Sequence, residues 1–447
     1  MNRANRNIVS LILVLGFFGY TYSQGKTAMN APNFVIILTD DQGWNALSTR
    51  MDPDISESGS TYYQTPNLDK FAKEGMRFSR AYSSAPTCAP TRHSIQFGRS
   101  PASLQIWGAD NINDFDAKAN ESLAHILRSN YPDYKAAHYG KWHVGQGPEI
   151  LGYEFNDGNN KNIKRSSDPD NDPKHTFSLS DKATNFMQNR VDKGEPFLLQ
   201  VSYFANHLFF EAKKETLEKY TYGRSNLKTP YHNNAVWAAM NEDLDTGIGL
   251  IFQKINQLGI EDNTYIIFTS DNGYEAKYDN GKPLVERGYY NAYPLRSHKY
   301  MINEGGLRVP FIVKGPGIPG NTVSREPVIS TDIYPTILAM LNLSKEVPIK
   351  VEGANLFPHL KSGGKSPINR NEPFLTFRYS KPDNAHDIAI IQGDYKLLRS
   401  LDNNSIFLWN IVEDMGESKN LVEDKPELTE KLNNLMTNYF NRHGKDD

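Results

Sequence analysis

The stretch Asn33–Gly43, NFVIILTDDQG, sets the apolar run Phe34 to Leu38 directly ahead of Asp40, Asp41 and a glycine. A second stretch of the same design, Thr264–Gly273, TYIIFTSDNG, closes on Asp271, Asn272 and Gly273. Short, β-rich, near-continuous apolar runs read as buried parallel strands, because a strand covered on both faces shows no polar alternation. In an open α/β sheet, ligands bind outside the carboxyl ends of the strands. Two such ends on one sheet edge would bring Asp40, Asp41, Asp271 and Asn272 together.

The segments between them keep the same rhythm. Thr65–Gly75 reads as a helix with Leu68 and Phe71 inward, Lys135–Tyr139 as a strand leading into Gly140, and Pro196–Phe204 as a further central strand. Asn234–Asn256 carries a long helical pattern through Val236, Met240, Leu244, Ile248 and Ile251. Strands alternating with helices imply a doubly wound α/β sheet. Two polar stretches, Asn156–Asp181 and Tyr274–His298, break the rhythm and read as long substrate-side insertions. Near Lys361–Lys365 the composition shifts to Gly, Ser and Lys. Beyond it, short strands at Ile388–Ile391 and Tyr395–Leu398 and a helix presenting Leu428, Leu432, Leu435 and Tyr439 suggest a small α+β module. The expected organisation is a signal peptide over 1–23, a catalytic α/β domain over 24–364 and a C-terminal antiparallel-sheet plus helix subdomain over 365–447.

The first 23 residues carry Arg3 and Arg6, an apolar stretch from Ile8 to Tyr20 and the small Ser23, the pattern of a secretory leader. That stretch falls short of the about 20 residues a membrane span needs, and no cysteine follows it to carry a lipid anchor. A mature chain free of the membrane, periplasmic or secreted, is expected. A formal charge of −3 gives no basic field for nucleic acid, so any anion site must be local.

Cys88 is the only cysteine of 447 residues and so has no disulfide partner within the chain. It opens Cys88-Ala89-Pro90-Thr91-Arg92, with Gly98-Arg99 following. This run resembles the modification signature of the formylglycine-dependent sulfatases. Further runs carry the same resemblance in order: PNFVIILTDDQGW (32–44), TPNLDKFAKEGMRF (65–78), GKWHVG (140–145), FTSDNG (268–273) and EGGLRVPF (304–311). The chain is therefore identified as similar to arylsulfatase-like type I sulfatases. That likeness implies an alkaline-phosphatase-type superfold, with a large mixed, mostly parallel sheet flanked by helices.

The resemblance implies that a maturation enzyme, formylglycine-generating or anaerobic sulfatase-maturating, oxidises Cys88 to 3-oxoalanine. Its hydrate would attack sulfur with one hydroxyl and later expel sulfate as the carbonyl re-forms, splitting one hard step into two. It further implies Ca²⁺, with Mg²⁺ the lesser choice, held by Asp40, Asp41, Asp271 and Asn272 and completed by modified Cys88. Carboxylate and amide oxygens are hard ligands that suit these ions over zinc. Arg92, one turn after Cys88 on a helix expected to begin near Pro90, would contact the hydrate. Lys141 and His143, placed two apart on an expected extended segment, would meet the sulfate and take the hydrate's proton. His207 and Lys299 would flank the leaving oxygen and protonate it. The chain departs from the family at Asn206, where proline is usual, at Ser297-His298, where glycines are common, and at Gln96-Phe97, where the family has Leu-Thr.

The same residues leave two rival readings. One is a formylglycine-dependent phosphonate or phosphodiester hydrolase; the other is a sulfated-glycan-binding pseudoenzyme in which Cys88 stays a thiol. A sulfated carbohydrate is the expected substrate, and His93, Trp107, His175, Arg224, Arg296 and His298 are the candidates for its sugar subsites.

Overall fold

The computed structural model describes residues 31–443 apart from 107, 109–117, 164, 276–277, 280–281, 284–291 and 381–385. The expected leader and Trp107 lie outside the described residues. The two opening stretches form the strands Asn33–Thr39 and Thr264–Ser270, buried at every residue. They run side by side and parallel, from Asn33 against Thr264 to Thr39 against Ser270. Side-chain alternation divides the first strand between two cores. Phe34, Ile36 and Leu38 enter one apolar cluster, and Val35 and Ile37 enter another, as period two requires of a strand covered on both faces.

The main sheet has eight strands in the order 322–324, 76–78, 311–314, 264–270, 33–39, 197–202, 135–140 and 155–156. Neighbours are parallel except for Phe311–Lys314, which is antiparallel to both its partners. The helix Pro66–Glu74 starts on proline, whose missing N–H costs nothing at that position, and it buries Leu68 and Phe71. The long helix Ala235–Gln257 is capped by the Asn234 side chain, which accepts from the Trp237 N–H, and it buries Met240, Leu244, Ile248 and Ile251. Val236, expected on that face, is half-buried.

One expected loop is shorter than its composition suggested. The helix Thr176–Asp192 begins inside the stretch 156–181, because Leu179, Ala183, Phe186 and Met187 recur at helical spacing and are buried. The polar residues between them hid that pattern. At the C-terminus a four-stranded antiparallel sheet, 375–380, 386–392, 395–400 and 406–410, packs on the helix Pro426–His443. That helix buries Leu432, Met436, Tyr439 and Phe440, with Leu428 and Leu435 only partly covered. The small sheet is tied to the main body by fully buried Lys396, whose Nζ lies 3.2 Å from Glu304 and 2.9 Å from Glu417. Among the described residues no helix is long and apolar enough to cross a membrane.

Candidate active site

The parallel pairing of 33–39 with 264–270 places both acidic strand ends at one point of the sheet edge. Ligand atoms of Asp40, Asp41, Cys88 and Asp271 all lie within 4.8 Å of one another, and all four residues are buried. Asp41 sits at φ 54°, a left-handed conformation that Asp tolerates better than most residues. Asn272 donates its amide to Asp41 Oδ1 at 2.6 Å and to the Gly273 carbonyl at 2.9 Å. Its own Oδ1 is buried with no hydrogen-bond partner among the described residues. A buried oxygen without a donor, beside three carboxylates, fits a hard cation.

Cys88 is the first residue of a helix, Cys88–Phe97, buried throughout. The helix thus begins two residues before Pro90, where it was expected. Its end is set by Gly98, at φ 63°, where a Cβ would meet Val351 and Tyr334 at 2.9 and 3.0 Å. Cys88 Sγ lies 3.4 Å from Asp40 Oδ1. Burial, reinforced by Asp271 and Asp40, pushes its thiol well above the ordinary range. One turn on, Arg92 Nε and Nη2 reach Asp271 Oδ2 at 2.8 and 2.7 Å, and Nη1 donates to the Lys141 carbonyl. Where the family has Leu-Thr, buried Gln96 bonds Gln200 at 2.9 Å and Tyr153 at 2.8 Å, which fastens the helix to the central strand 197–202.

Lys141 follows a strand that ends on Gly140, at φ 92°, where a Cβ would approach the Ser202 carbonyl to 2.1 Å. Lys141 Nζ pairs with Asp40 Oδ2 at 2.5 Å, both fully buried. Burial opposes both charges, but each partner stabilises the other: Asp40 is held below the usual carboxylate range and Lys141 above the usual amine range. His143 corrects the expected extended segment. It adopts φ 54°, with its N–H on the Asn160 carbonyl at 2.9 Å, so a bend rather than alternation aims the ring. Burial, then Lys141 and Arg92, push its pKa down to about 2, and Nδ1 has no partner among the described residues. The ring is a neutral base beside two cations.

Lys299 and His207 meet the cluster at Asp41. Lys299 Nζ lies 2.9 Å from Asp41 Oδ1, and its own N–H is fixed on the Tyr274 carbonyl at 2.7 Å. Burial opposes the charged Asp41, yet Lys299 and then His207 hold it down to about 2. His207 Nε2 lies 3.9 Å from Asp41 and 3.8 Å from Glu275, and burial lowers its pKa despite the opposing charges of Asp41 and Asp40. Asn206, in the place of the usual proline, donates to Asn241 Oδ1 at 3.0 Å. Asn241 also takes the Gln42 amide at 2.7 Å, which locks this loop to the end of the first strand.

Sequence reasoning missed Glu275, three residues after Asn272. Its carboxylate lies 3.7 Å from Lys299, and burial together with Asp41 pushes its pKa up to about 8. No spacing rule marks it; only the turn after the second strand brings it in. The candidate sugar residues fare unevenly. His93 is fully buried, with Nδ1 on the Ala89 carbonyl and Nε2 accepting the Gly145 N–H, so it is a packing residue beside the site. Arg224 is bonded to the Tyr62 and Thr61 carbonyls and Arg296 to the Glu417 carbonyl. His298 turns Nδ1 to the Lys299 carbonyl at 2.7 Å. His175 pairs with Asp172 at 3.6 Å.

A family model described as Sulfatase matches residues 32–343, and one described as N-sulphoglucosamine sulphohydrolase, C-terminal, matches residues 293–443. A sulfatase of Formosa agariphila is 25% identical over 92% of this chain and 89% of its own length. An ulvan-active sulfatase of the same organism is 26% identical over 90% of this chain and 79% of its own. The crystal structure of Ps i-CgsB in complex with k-i-k-neocarrahexaose superimposes with a TM-score of 0.74 at 23% identity, covering 92% of this chain and 93% of that one. With the Sulfatase model spanning most of the chain and the fold matching, this protein belongs to the sulfatase family of sulfuric ester hydrolases.

Proposed function

We propose that the chain is an exported sulfatase that hydrolyses O-sulfate esters on a sulfated polysaccharide or its oligosaccharides. It would use a formylglycine made from Cys88 by a maturation enzyme and Ca²⁺ held by Asp40, Asp41, Asp271 and Asn272. The observation that carries this reading is the meeting of both strand ends around Cys88 Sγ, with Arg92, Lys141 and Lys299 against them. A thiol pushed up by burial and two carboxylates is a poor nucleophile as it stands, which favours conversion of Cys88. Hydrated formylglycine would supply an oxygen nucleophile able to shed sulfate by re-forming its carbonyl, and Ca²⁺ would polarise it and balance a sulfate oxygen.

The chain's own residues do the rest. Arg92 orients Asp271, and Lys141 presents its charge beside Cys88 for the sulfate. Three cations, Arg92, Lys141 and Lys299, offset three carboxylates, so an added divalent ion leaves the pocket positive, as an anionic ester requires. Neutral His143 can accept a proton at Nδ1. Lys299 and His207, beside Asp41, are placed to donate one to the departing alcohol. Relatives active on ulvan and bound to a carrageenan oligosaccharide support a glycan substrate. We assign 1–23 as the leader, 24–364 as the catalytic domain and 365–447 as the C-terminal subdomain.

A panel of sulfated oligosaccharides, with matched phosphate esters beside them, tests the proposal. Sulfate release measured by ion chromatography, with the desulfated position assigned by NMR, is the expected result. Faster turnover of phosphate esters, or binding of sulfated sugars without turnover by converted enzyme, would overturn it.

A further inference from the structure

One buried cation has no part in the roles above. Lys174 is 0% exposed, and its Nζ donates to the Leu208 carbonyl at 3.0 Å. That same oxygen lies 2.9 Å from His207 Nδ1. A carbonyl oxygen only accepts, and its two lone pairs can take both donors. His207 must therefore carry its hydrogen on Nδ1, which leaves Nε2 as the nitrogen facing Asp41 and Glu275.

The lysine is held in place from its own backbone. Buried Glu211 accepts the Lys174 N–H at 3.1 Å and the Ser166 N–H at 3.0 Å, so the insertion around 166–174 is stapled to the loop that carries His207. A packing role at this position would be met by methionine or leucine. The Glu211 carboxylate offsets part of the cost of burying the ammonium, while the hydrogen bond from Nζ goes to the carbonyl that sets the histidine's tautomer. Phe209, the next residue, is 47% exposed, with the Arg165 guanidinium over its ring at 5.7 Å.

We propose that Lys174 is a positioning residue for His207: its ammonium fixes the Leu208 carbonyl, which keeps Nδ1–H engaged, so that the proton the ring gives to the leaving oxygen as the imidazolium is carried on Nε2 and the ring returns to the Nδ1–H form. The inference rests on the reading that His207 serves the leaving oxygen.

Lys174→Met tests it, assayed beside the wild type on a sugar sulfate and on 4-nitrophenyl sulfate, whose phenolate needs little proton assistance. The expected result is a roughly 10- to 100-fold fall in kcat on the sugar sulfate, the scale of a misplaced catalytic group. KM should hold steady, and the aryl sulfate should lose no more than about threefold by the same argument. Lys174→Gln, which keeps an N–H donor, should recover part of the loss. Equal losses on both substrates, or none, would overturn the proposal. A second arm needs no folded variant: ¹⁵N-histidine spectra of the wild type, with His207 assigned by difference from His207→Gln, should show the hydrogen on Nδ1. A hydrogen on Nε2 alone would also overturn it. If the wild type releases sulfate from neither substrate, the sulfatase reading fails separately, and the spectra still decide the lysine's role.

Discussion

Replacing Arg92 by methionine should expose how much the site depends on one buried ion pair. Arg92 Nε and Nη2 lie 2.8 and 2.7 Å from a single oxygen of Asp271, with the two side chains 1% and 0% exposed. At an effective dielectric of about 20, unit charges at that distance attract by about 6 kcal/mol. Desolvation offsets part of that attraction, and removing one partner of a buried pair costs about 3–5 kcal/mol, because the other charge is left without compensation. Methionine preserves most of the packing volume, and the lost donor to the Lys141 carbonyl adds to the electrostatic cost. Urea unfolding in EDTA should therefore show a loss of about 3–5 kcal/mol. With saturating Ca²⁺ the loss should shrink, since the ion gives Asp271 another positive partner. The double variant Arg92→Met/Asp271→Asn should be about 2 kcal/mol more stable than additivity predicts. A loss below about 1 kcal/mol in EDTA, or strict additivity, would show that the pair behaves like a solvent-screened contact and would refute the reasoning.

Active preparations should contain a Cys88 tryptic peptide with an aldehyde in place of the thiol, and Cys88→Ser should be folded and inactive; fully active enzyme showing only the thiol by mass spectrometry would contradict the proposed nucleophile. Metal analysis should find one Ca²⁺ per chain in the wild type and none in Asp271→Ala, so stoichiometric metal in that variant would remove Asp271 from the ligand set. His207→Ala and Lys299→Ala should hurt sugar sulfates far more than aryl sulfates, whereas His143→Ala should slow both alike; a reversed pattern would show that the proton roles are misassigned. His138 is fully buried on Ser202 Oγ at 3.0 Å, and burial pushes its pKa down to about 3. The unfolded chain, titrating near 6.5, then takes up the proton first. Stability is complete above about pH 6.5 and falls by about 1.4 kcal/mol per unit below it, or about 2 kcal/mol by about pH 5. His138→Gln should flatten that limb of the urea midpoint against pH, and an unchanged slope would contradict it.

The residues that line up along the chain and the residues that meet in space were legible to different degrees. The two strands and their acidic ends follow from period and position, because a buried strand must be apolar throughout and its polar groups can appear only where it leaves the sheet. Only the end of the run 156–181 departs from a loop, from Thr176 on, because a single inward Leu179 inside it, with Ala183, Phe186 and Met187 beyond it, makes a weak helical signal among polar residues, whereas in the fold their burial decides the matter.

The sequence by itself determined the α/β class, the pairing of Asp40 and Asp41 with Asp271 and Asn272, the singular Cys88 and the order of motifs that carries the family. All of these are local patterns or consequences of parallel pairing. Only the tertiary structure decided that Glu275 joins Lys299 and His207, that His93 is sealed by two backbone contacts, that His143 turns at a left-handed bend, and that Lys174 shares a carbonyl with His207. Each of those depends on which loops are packed against each other, and the energies that settle such packing, burial and charge compensation between residues far apart in the chain, leave no periodic mark in the order of the amino acids.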